Sequence, residues 1–218
     1  MIAGVDEAGR GPVMGPLVVA GVAIESDVPL RKLNVRDSKK LSPERREALA
    51  PEIEKLTKYV LVVIPAERID VMRAEMSLND FEARIFAEVI EKLHPETAYV
   101  DAADVDEIEF KRCIRRELPF AVEIVSQHNA DALFPVVSAA SILAKVCRDR
   151  EMRAIERAIG VPIGSGYASD SNTIAFLERW IRENGTLPPH TRASWDTARR
   201  LLAESRNHKL DEFGGGTP

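Results

Sequence analysis

Asp6, Glu7, Asp101 and Asp131 are the residues of this 218-residue chain whose types and setting most invite chemistry. Asp6 closes a first β-branched run, Asp101 closes a fourth, and Asp131 follows a fifth by a few residues. Glu7 lies beside Asp6 at a glycine break. The ends of strands are where an α/β sheet places its reactive groups. Several carboxylates converging there would repel one another and raise one another's pKa. A pair of divalent cations removes that repulsion, and an oxygen-only ligand set suits Mg²⁺ or Mn²⁺. Two such cations about 3.5–4 Å apart can serve the attack on, and cleavage of, a phosphodiester. Each Asp could equally cap a turn or a helix. Successive strand residues also point to opposite faces, so Asp6 and Glu7 share a site only if the strand ends or bulges there.

Three further features lie near these acids or in a glycine-rich loop. Gly9-Arg10-Gly11 follows the first acidic pair, and its glycines permit either a close backbone approach by a ligand or simply a tight turn. Lys39 and Lys40 precede a helix start, where lysines are commonly just solvated. Tyr167 sits among small residues in GSGYASD (Gly164–Asp170), where an ordinary surface aromatic is the alternative reading.

Charge is unevenly spread. The net charge is −5, yet residues 1–144 hold 18 Lys and Arg against 25 Asp and Glu, while residues 145–210 hold 12 against 8. That distribution permits a basic face for a polyanion beside an acidic site for cations. Apolar residues make up 45% and charged residues 30%, ordinary values for a globular protein. No stretch approaches the ~20 apolar residues of a membrane span, and Met1 to Gly4 lacks a basic n-region and a cleavable apolar stretch, so export is not expected. Cys113 and Cys147 form no CxxC pair, so neither a disulfide framework nor a zinc site is expected. A reduced, cytoplasmic setting is the corresponding expectation; the chain is separately expected to be a monomer.

The elements that must position these residues can be read from local pattern. Strands are predicted at Ile2–Asp6, Pro16–Glu25, Tyr59–Ile64, Thr97–Val100 and Phe120–Ser126. Ser42-Pro43 reads as a helix start, with Pro51 expected to kink or split the helix that follows. Ser77 opens an amphipathic helix ending at His94-Pro95, and further helices are expected at Val105–Glu117, from Phe134-Pro135 to Ile159, Asn172–Asn184 and Ser194–Ser205. The small residues Ser138–Ser141 suit close helix packing.

The segment GVDEAGRGPVMGPLVVAGV (Gly4–Val22) closely resembles the opening of type 2 ribonuclease H, ribonuclease HII, in its short archaeal form. Other blocks agree in order: DSKKLS at Asp37–Ser42, YVD at Tyr99–Asp101, HNADALFPVVSAASILAKV at His128–Val146, and GSGYASD at Gly164–Asp170. These blocks run from Gly4 to Asp170, and the resemblance covers roughly residues 2–196. The resemblance implies an α/β fold: a ribonuclease H-like mixed five-stranded sheet flanked by helices, with a helical C-terminal extension. It divides the chain into a catalytic domain at 1–160, an extension at 161–206 and a flexible tail at 207–218. The activity it implies is metal-dependent cleavage of the RNA strand of RNA–DNA hybrids and of single ribonucleotides embedded in duplex DNA, leaving 5′-phosphate and 3′-hydroxyl ends.

Position by position, Asp6, Glu7, Asp101 and Asp131 match the family's catalytic, metal-binding acids for Mg²⁺ or Mn²⁺. Gly9, Arg10 and Gly11 match the motif that touches the ribonucleotide's 2′-hydroxyl, the one group that distinguishes RNA from DNA at a sugar. Tyr167 matches a tyrosine that packs on that sugar, and Lys39 a lysine near substrate phosphates. Asn129 and Ala132 depart from the charged residues often found beside the fourth acid, and Pro51 has no functional reading. Two other classes compete: a catalytically silent nucleic-acid-binding module on the same fold, and a different metal-dependent phosphotransferase or resolvase. All four acids favour the nuclease over the first, and the intact glycine motifs favour it over the second. At the chain end, Asn207-His208-Lys209-Leu210-Asp211-Glu212-Phe213 resembles a degenerate sliding-clamp-binding peptide, in which Leu210 and Phe213 would share a helix face. A frayed helix end packed back on the domain is the competing reading.

Overall fold

The structure, a computed structural model, describes residues 1–35 and 40–214, the segment 207–214 by its backbone alone. Lys39 therefore lies outside the described residues, as do residues 215–218. Five strands form one sheet: β1 (Ile2–Ala8), β2 (Leu17–Ile24), β3 (Lys58–Ile64), β4 (Thr97–Asp101) and β5 (Glu123–Gln127), in the order β3-β2-β1-β4-β5. β1 runs antiparallel to β2 and parallel to β4, and β4 is parallel to β5. The mixed sheet is as expected. Nine helices occur among the described residues: α1 (Val28–Lys32), α2 (Pro43–Leu56), α3 (Ala66–Glu75), α4 (Leu78–Leu93), α5 (Glu107–Glu117), α6 (Ala130–Leu133), α7 (Pro135–Ile159), α8 (Ser171–Asn184) and α9 (Asp196–Gly214). None among the described residues is long and apolar enough to cross a membrane.

The helix starts follow their capping residues. Ser42 accepts a hydrogen bond from Arg45 N–H and Ser77 from Asp80 N–H, each satisfying an orphan donor of a first turn. α4 ends on His94 in the left-handed conformation, before Pro95. Pro51 does not split its helix: α2 is one helix through that position. α9 also continues beyond the expected end near Ser205, to Gly214.

The chain divides into two compact units that are discontinuous in sequence. The first comprises Met1–Gly9, Leu17–Val63 and Glu75–Asp149. Here α7 and α4 cover opposite faces of the sheet. A side chain at Gly4 would overlap the backbone of Val136 on α7, whereas one at Gly21 would meet Val89 and Leu93 of α4. Gly21 pairs with Val5 across the β1–β2 ladder, one residue on from Gly4, so the two approaches lie on opposite faces. Gly4 is thus glycine because a helix backbone lies directly on it. The small residues Ala139, Ala140 and Ala144 are buried on the α7 side with Val18, Ala20 and Val22 of β2. On the α4 side, Phe86 meets Phe110 of α5 edge-on at 5.2 Å between centroids.

The second unit comprises Arg10–Pro16, Ile64–Ala74 and Arg150–Pro218. Its own core gathers Val13, Met14, Met152, Ile155, Ile163, Phe176, Leu177, Ile181, Ala198 and Leu201. The short Arg10–Pro16 segment belongs to this core through backbone bonds: Val13 and Met14 N–H both donate to Gly166 O, at 2.8 and 3.1 Å, and Gly15 N–H donates to His190 O at 2.9 Å.

Candidate active site

In the first unit, strand register brings the acids to one sheet edge. Val5 of β1 pairs in parallel with Val100 of β4, so the next residues, Asp6 and Asp101, emerge side by side on the same face. That is the α7 face, since Asp6 is two residues on from Gly4. Asp6 is 4% exposed. Its carboxylate accepts Glu7 N–H at 2.7 Å and a hydrogen bond from Ser141 of α7, whose hydroxyl in turn accepts from Lys145 Nζ. Burial raises the Asp6 pKa to about 6, with Asp101 adding to the rise and Lys145 and Ser141 opposing it.

Glu7 belongs to the opposite, α4 face, where the buried Glu82 stands. The strand neither ends nor bulges at Glu7, contrary to the condition set by the sequence: pairing continues through Glu7 with Val19 and Ala8 with Val18. The carboxyls of Asp6 and Glu7 nevertheless meet, sharing a hydrogen bond. Burial raises the Glu7 pKa well above the ordinary range, reinforced by the charges of Asp6, Glu82 and Asp101 and by a hydrogen bond to Asp6. Position near a strand terminus lets side chains from two faces reach around the same edge.

Asp101 Oδ1 accepts Ala130 N–H at 2.9 Å, which ties the end of β4 to α6. Asp131 follows Ala130 and is 2% exposed. Sequence reasoning passed over Glu82 and Lys145, although Glu82 carried a signal. An acid at the helical spacing of Ile85, Phe86 and Val89 stands on the apolar stripe of α4, where a solvated residue has no place.

The donor set fits a hard divalent cation: oxygen ligands only, net negative, and mutually repelled. Glu7 Oε2 is buried without a hydrogen-bond partner. Among the described residues no three Asp, Glu, His or Cys side chains stand together closely enough to hold a metal as they are. Raised pKa values and an orphaned carboxylate oxygen are what like charges show when nothing neutralises them.

The second unit holds Arg10, Gly11 and Tyr167. Gly9, the last residue of the first unit, leads into this segment at φ +85°, a conformation that favours glycine. Gly11 is exposed, and a Cβ added there would meet only Tyr167 Cε1, at 3.8 Å. Two motifs 156 residues apart therefore adjoin, with space over the Gly11 backbone. Tyr167 is 39% exposed. Its loop is fixed from within, as Asp170 accepts Ser165 N–H at 2.7 Å and Asn172 N–H at 3.0 Å, while Gly166 N–H donates to Thr173 Oγ1 at 3.0 Å.

The sequence model of the ribonuclease HII family matches residues 3–198. The chain belongs to the ribonuclease HII family. A ribonuclease HII of Methanoregula boonei is 49% identical over 213 residues, covering 98% of this chain and all of that one. That of Thermococcus kodakarensis is 48% identical, covering 97% of each. Among solved structures, ribonuclease H2 of Pyrococcus horikoshii superposes with a TM-score of 0.87 at 40% identity, covering 94% of this chain and 98% of that one. The ribonuclease HII of Archaeoglobus fulgidus, solved in complex with PCNA, gives 0.86 at 44% identity, covering 92% and 96%. As a ribonuclease HII family member the protein is a ribonuclease H, acting on RNA–DNA hybrids.

Proposed function

We propose that the protein is a divalent-metal-dependent endonuclease that cuts the RNA strand of hybrids and also single ribonucleotides within duplex DNA, leaving 5′-phosphate and 3′-hydroxyl ends. The observation that carries the reading is the convergence of the buried Asp6 and the half-buried Glu7 and Asp101 at one sheet edge, where their charges raise the pKa values of Asp6 and Glu7. With Asp131 these residues would hold Mg²⁺ or Mn²⁺, which when bound supplies Lewis-acid stabilisation of charge on the reacting phosphate.

The remaining roles belong to the chain itself. Ser141 holds one side of the Asp6 carboxylate and Lys145 supports Ser141, which limits the rotamers Asp6 can adopt. Ala130 N–H orients Asp101 from the other strand end. Fixing carboxylates before substrate arrives removes reorganisation from the reaction step. Gly9, Arg10 and Gly11 offer backbone groups to the 2′-hydroxyl, and Tyr167 supplies an aromatic face for the sugar. Duplex affinity rests mainly on phosphate contacts from basic side chains, with Lys39 proposed as one.

We further infer that the end of α9 docks on a sliding clamp. Support comes from Leu210 and Phe213, three apart on a segment whose backbone is helical, and from the relative solved with PCNA. Clamp docking would place the enzyme on replicated DNA, where embedded ribonucleotides arise.

The deciding experiment is a duplex with one ribonucleotide, incubated with and without Mg²⁺, with the product ends identified. Cleavage 5′ to the ribonucleotide only when metal is present is expected. Binding without cleavage under any divalent metal would favour the silent module.

A further inference from the structure

Arg192 is fully buried in the second unit, an unusual place for a guanidinium. Removing a charge from water costs several kcal/mol unless its donors are used, and here they are used on backbone carbonyls. Nη1 donates to Arg10 O at 2.9 Å and Nε to Gly15 O at 3.1 Å. The Arg192 N–H donates to Val13 O at 2.8 Å. Three residues on, Trp195 Nε1–H donates to Gly11 O at 3.1 Å. One short turn, Arg192–Trp195, thus binds four carbonyls of the Arg10–Gly15 segment.

The turn is itself fixed. Asp70 of α3 accepts Ala193 N–H at 2.7 Å, Ser194 N–H at 3.0 Å and the Ser194 hydroxyl at 2.5 Å. The Trp195 ring lies 4.9 Å from Arg192 Cζ and 5.1 Å from Arg73 Cζ, within cation–π range of both.

These bonds have a consequence for the exposed glycine. A trans peptide is planar, with its N–H directed opposite its carbonyl. Holding Arg10 O against Arg192 therefore directs the Gly11 N–H away from the guanidinium. Gly11 O is held by Trp195, and the next residue, Pro12, has a fixed φ and no N–H. The peptide groups on both sides of Gly11 are locked by side chains that need touch no substrate.

We propose that Arg192 and Trp195 are positioning residues that set the peptide groups of Arg10 and Gly11 for reading the ribose 2′-hydroxyl. This rests on the reading of Gly9-Arg10-Gly11 given above. Lysine cannot replace Arg192, because a single ammonium cannot span two carbonyls in one plane as the fork does. Phenylalanine at 195 would keep an aromatic ring beside Arg192 while losing the donor to Gly11 and part of the indole's area.

The test measures kcat and KM on a duplex containing one ribonucleotide, with Mg²⁺, for the full-length wild type, Arg192→Lys, Trp195→Phe and Gly11→Ala, together with melting temperatures. We expect Trp195→Phe and Arg192→Lys each to lower kcat about tenfold or more, as small misplacements do, with KM within about twofold and Trp195→Phe melting within a few degrees of wild type. Gly11→Ala, which the space beside Tyr167 accommodates, should lower kcat similarly. If Gly11→Ala lowers kcat but Trp195→Phe and Arg192→Lys stay within about twofold, the positioning role is wrong while the sugar reading stands. If Gly11→Ala itself changes nothing, the sugar reading fails. If the kcat losses at 192 and 195 only track a loss of folded protein and vanish at a lower assay temperature, the two residues are merely structural and the proposal is overturned.

Discussion

Tyr167 Cε1 stands 3.8 Å from the point where a side chain on Gly11 would begin. The contact joins the loop before α8 to the segment after β1, and it leaves the space beside the Gly11 Cα otherwise open. A ring beside an exposed peptide group is suited to a sugar, which offers an apolar face to the ring and hydroxyls to the backbone.

Tyr167→Ala should therefore lower kcat on a single-ribonucleotide duplex by about tenfold or more, while substrate affinity falls less, because positioning acts mainly on the reactive geometry. Steady-state kinetics beside equilibrium binding in Ca²⁺ would check this. With the side chain partly exposed, the melting temperature should hardly move. Equal losses in affinity with turnover unchanged would make Tyr167 a binding contact only.

Much of this arrangement was legible in the sequence. Five β-branched runs and the caps at Ser42 and Ser77 are local signals, and each marks an element that formed. The acids stand out in the sequence because strand ends are visible in pattern. α3 went unread because Ala66 and Ile69 are its only buried residues, too few to set a periodicity. α6 is a single turn. Arg192 was unreadable for a deeper reason. In PPHTRASW it looks like a loop cation in water, and only carbonyls more than 170 residues away explain its burial. The membership of Arg10–Pro16 in the second unit likewise depends on bonds to Gly166 and His190 that no local pattern encodes.

Asp101→Asn should reduce cleavage by at least about a hundredfold, if a carboxylate that orients the reaction is lost. The amide still offers an oxygen to Ala130 N–H, so the strand end keeps its shape. Binding of uncleaved duplex should stay within a few-fold, since phosphate contacts dominate affinity. Filter binding and single-turnover cleavage on one duplex separate the two effects. Cleavage within a few-fold of wild type would remove Asp101 from the catalytic set.

Stability should report on Asp6. Its folded pKa of about 6 exceeds its ordinary value of 3.8, so the folded state holds a proton that the unfolded chain has already released. The resulting stabilisation is complete below about pH 4 and is lost as pH rises through about 6. At pH 7.5 without divalent metal, Asp6→Asn should therefore melt several degrees above wild type, as about 1 kcal/mol moves a protein of this size by roughly 2–4 °C. At pH 4 the gap should close. Thermal scans across pH 4–8 in EDTA would check it, and a variant less stable than wild type at pH 7.5 would contradict the repulsion argument.

Removal of the chain after Ser205 tests the clamp proposal without disturbing the core. Among the described side chains of α9, the buried ones, Ala198 and Leu201, lie before the cut, so the melting temperature should fall by no more than a few degrees. A short duplex needs no clamp, and its cleavage should be unchanged. Binding to a sliding clamp, measured by calorimetry or surface resonance, should be lost in the truncated chain and in Phe213→Ala of the full chain. The full-length affinity should be modest, in keeping with a single short helical segment filling one apolar pocket. Clamp affinity that survives both changes would exclude Leu210 and Phe213 as the docking pair. A large drop in melting temperature on truncation would instead mean that this helix end packs against its own domain.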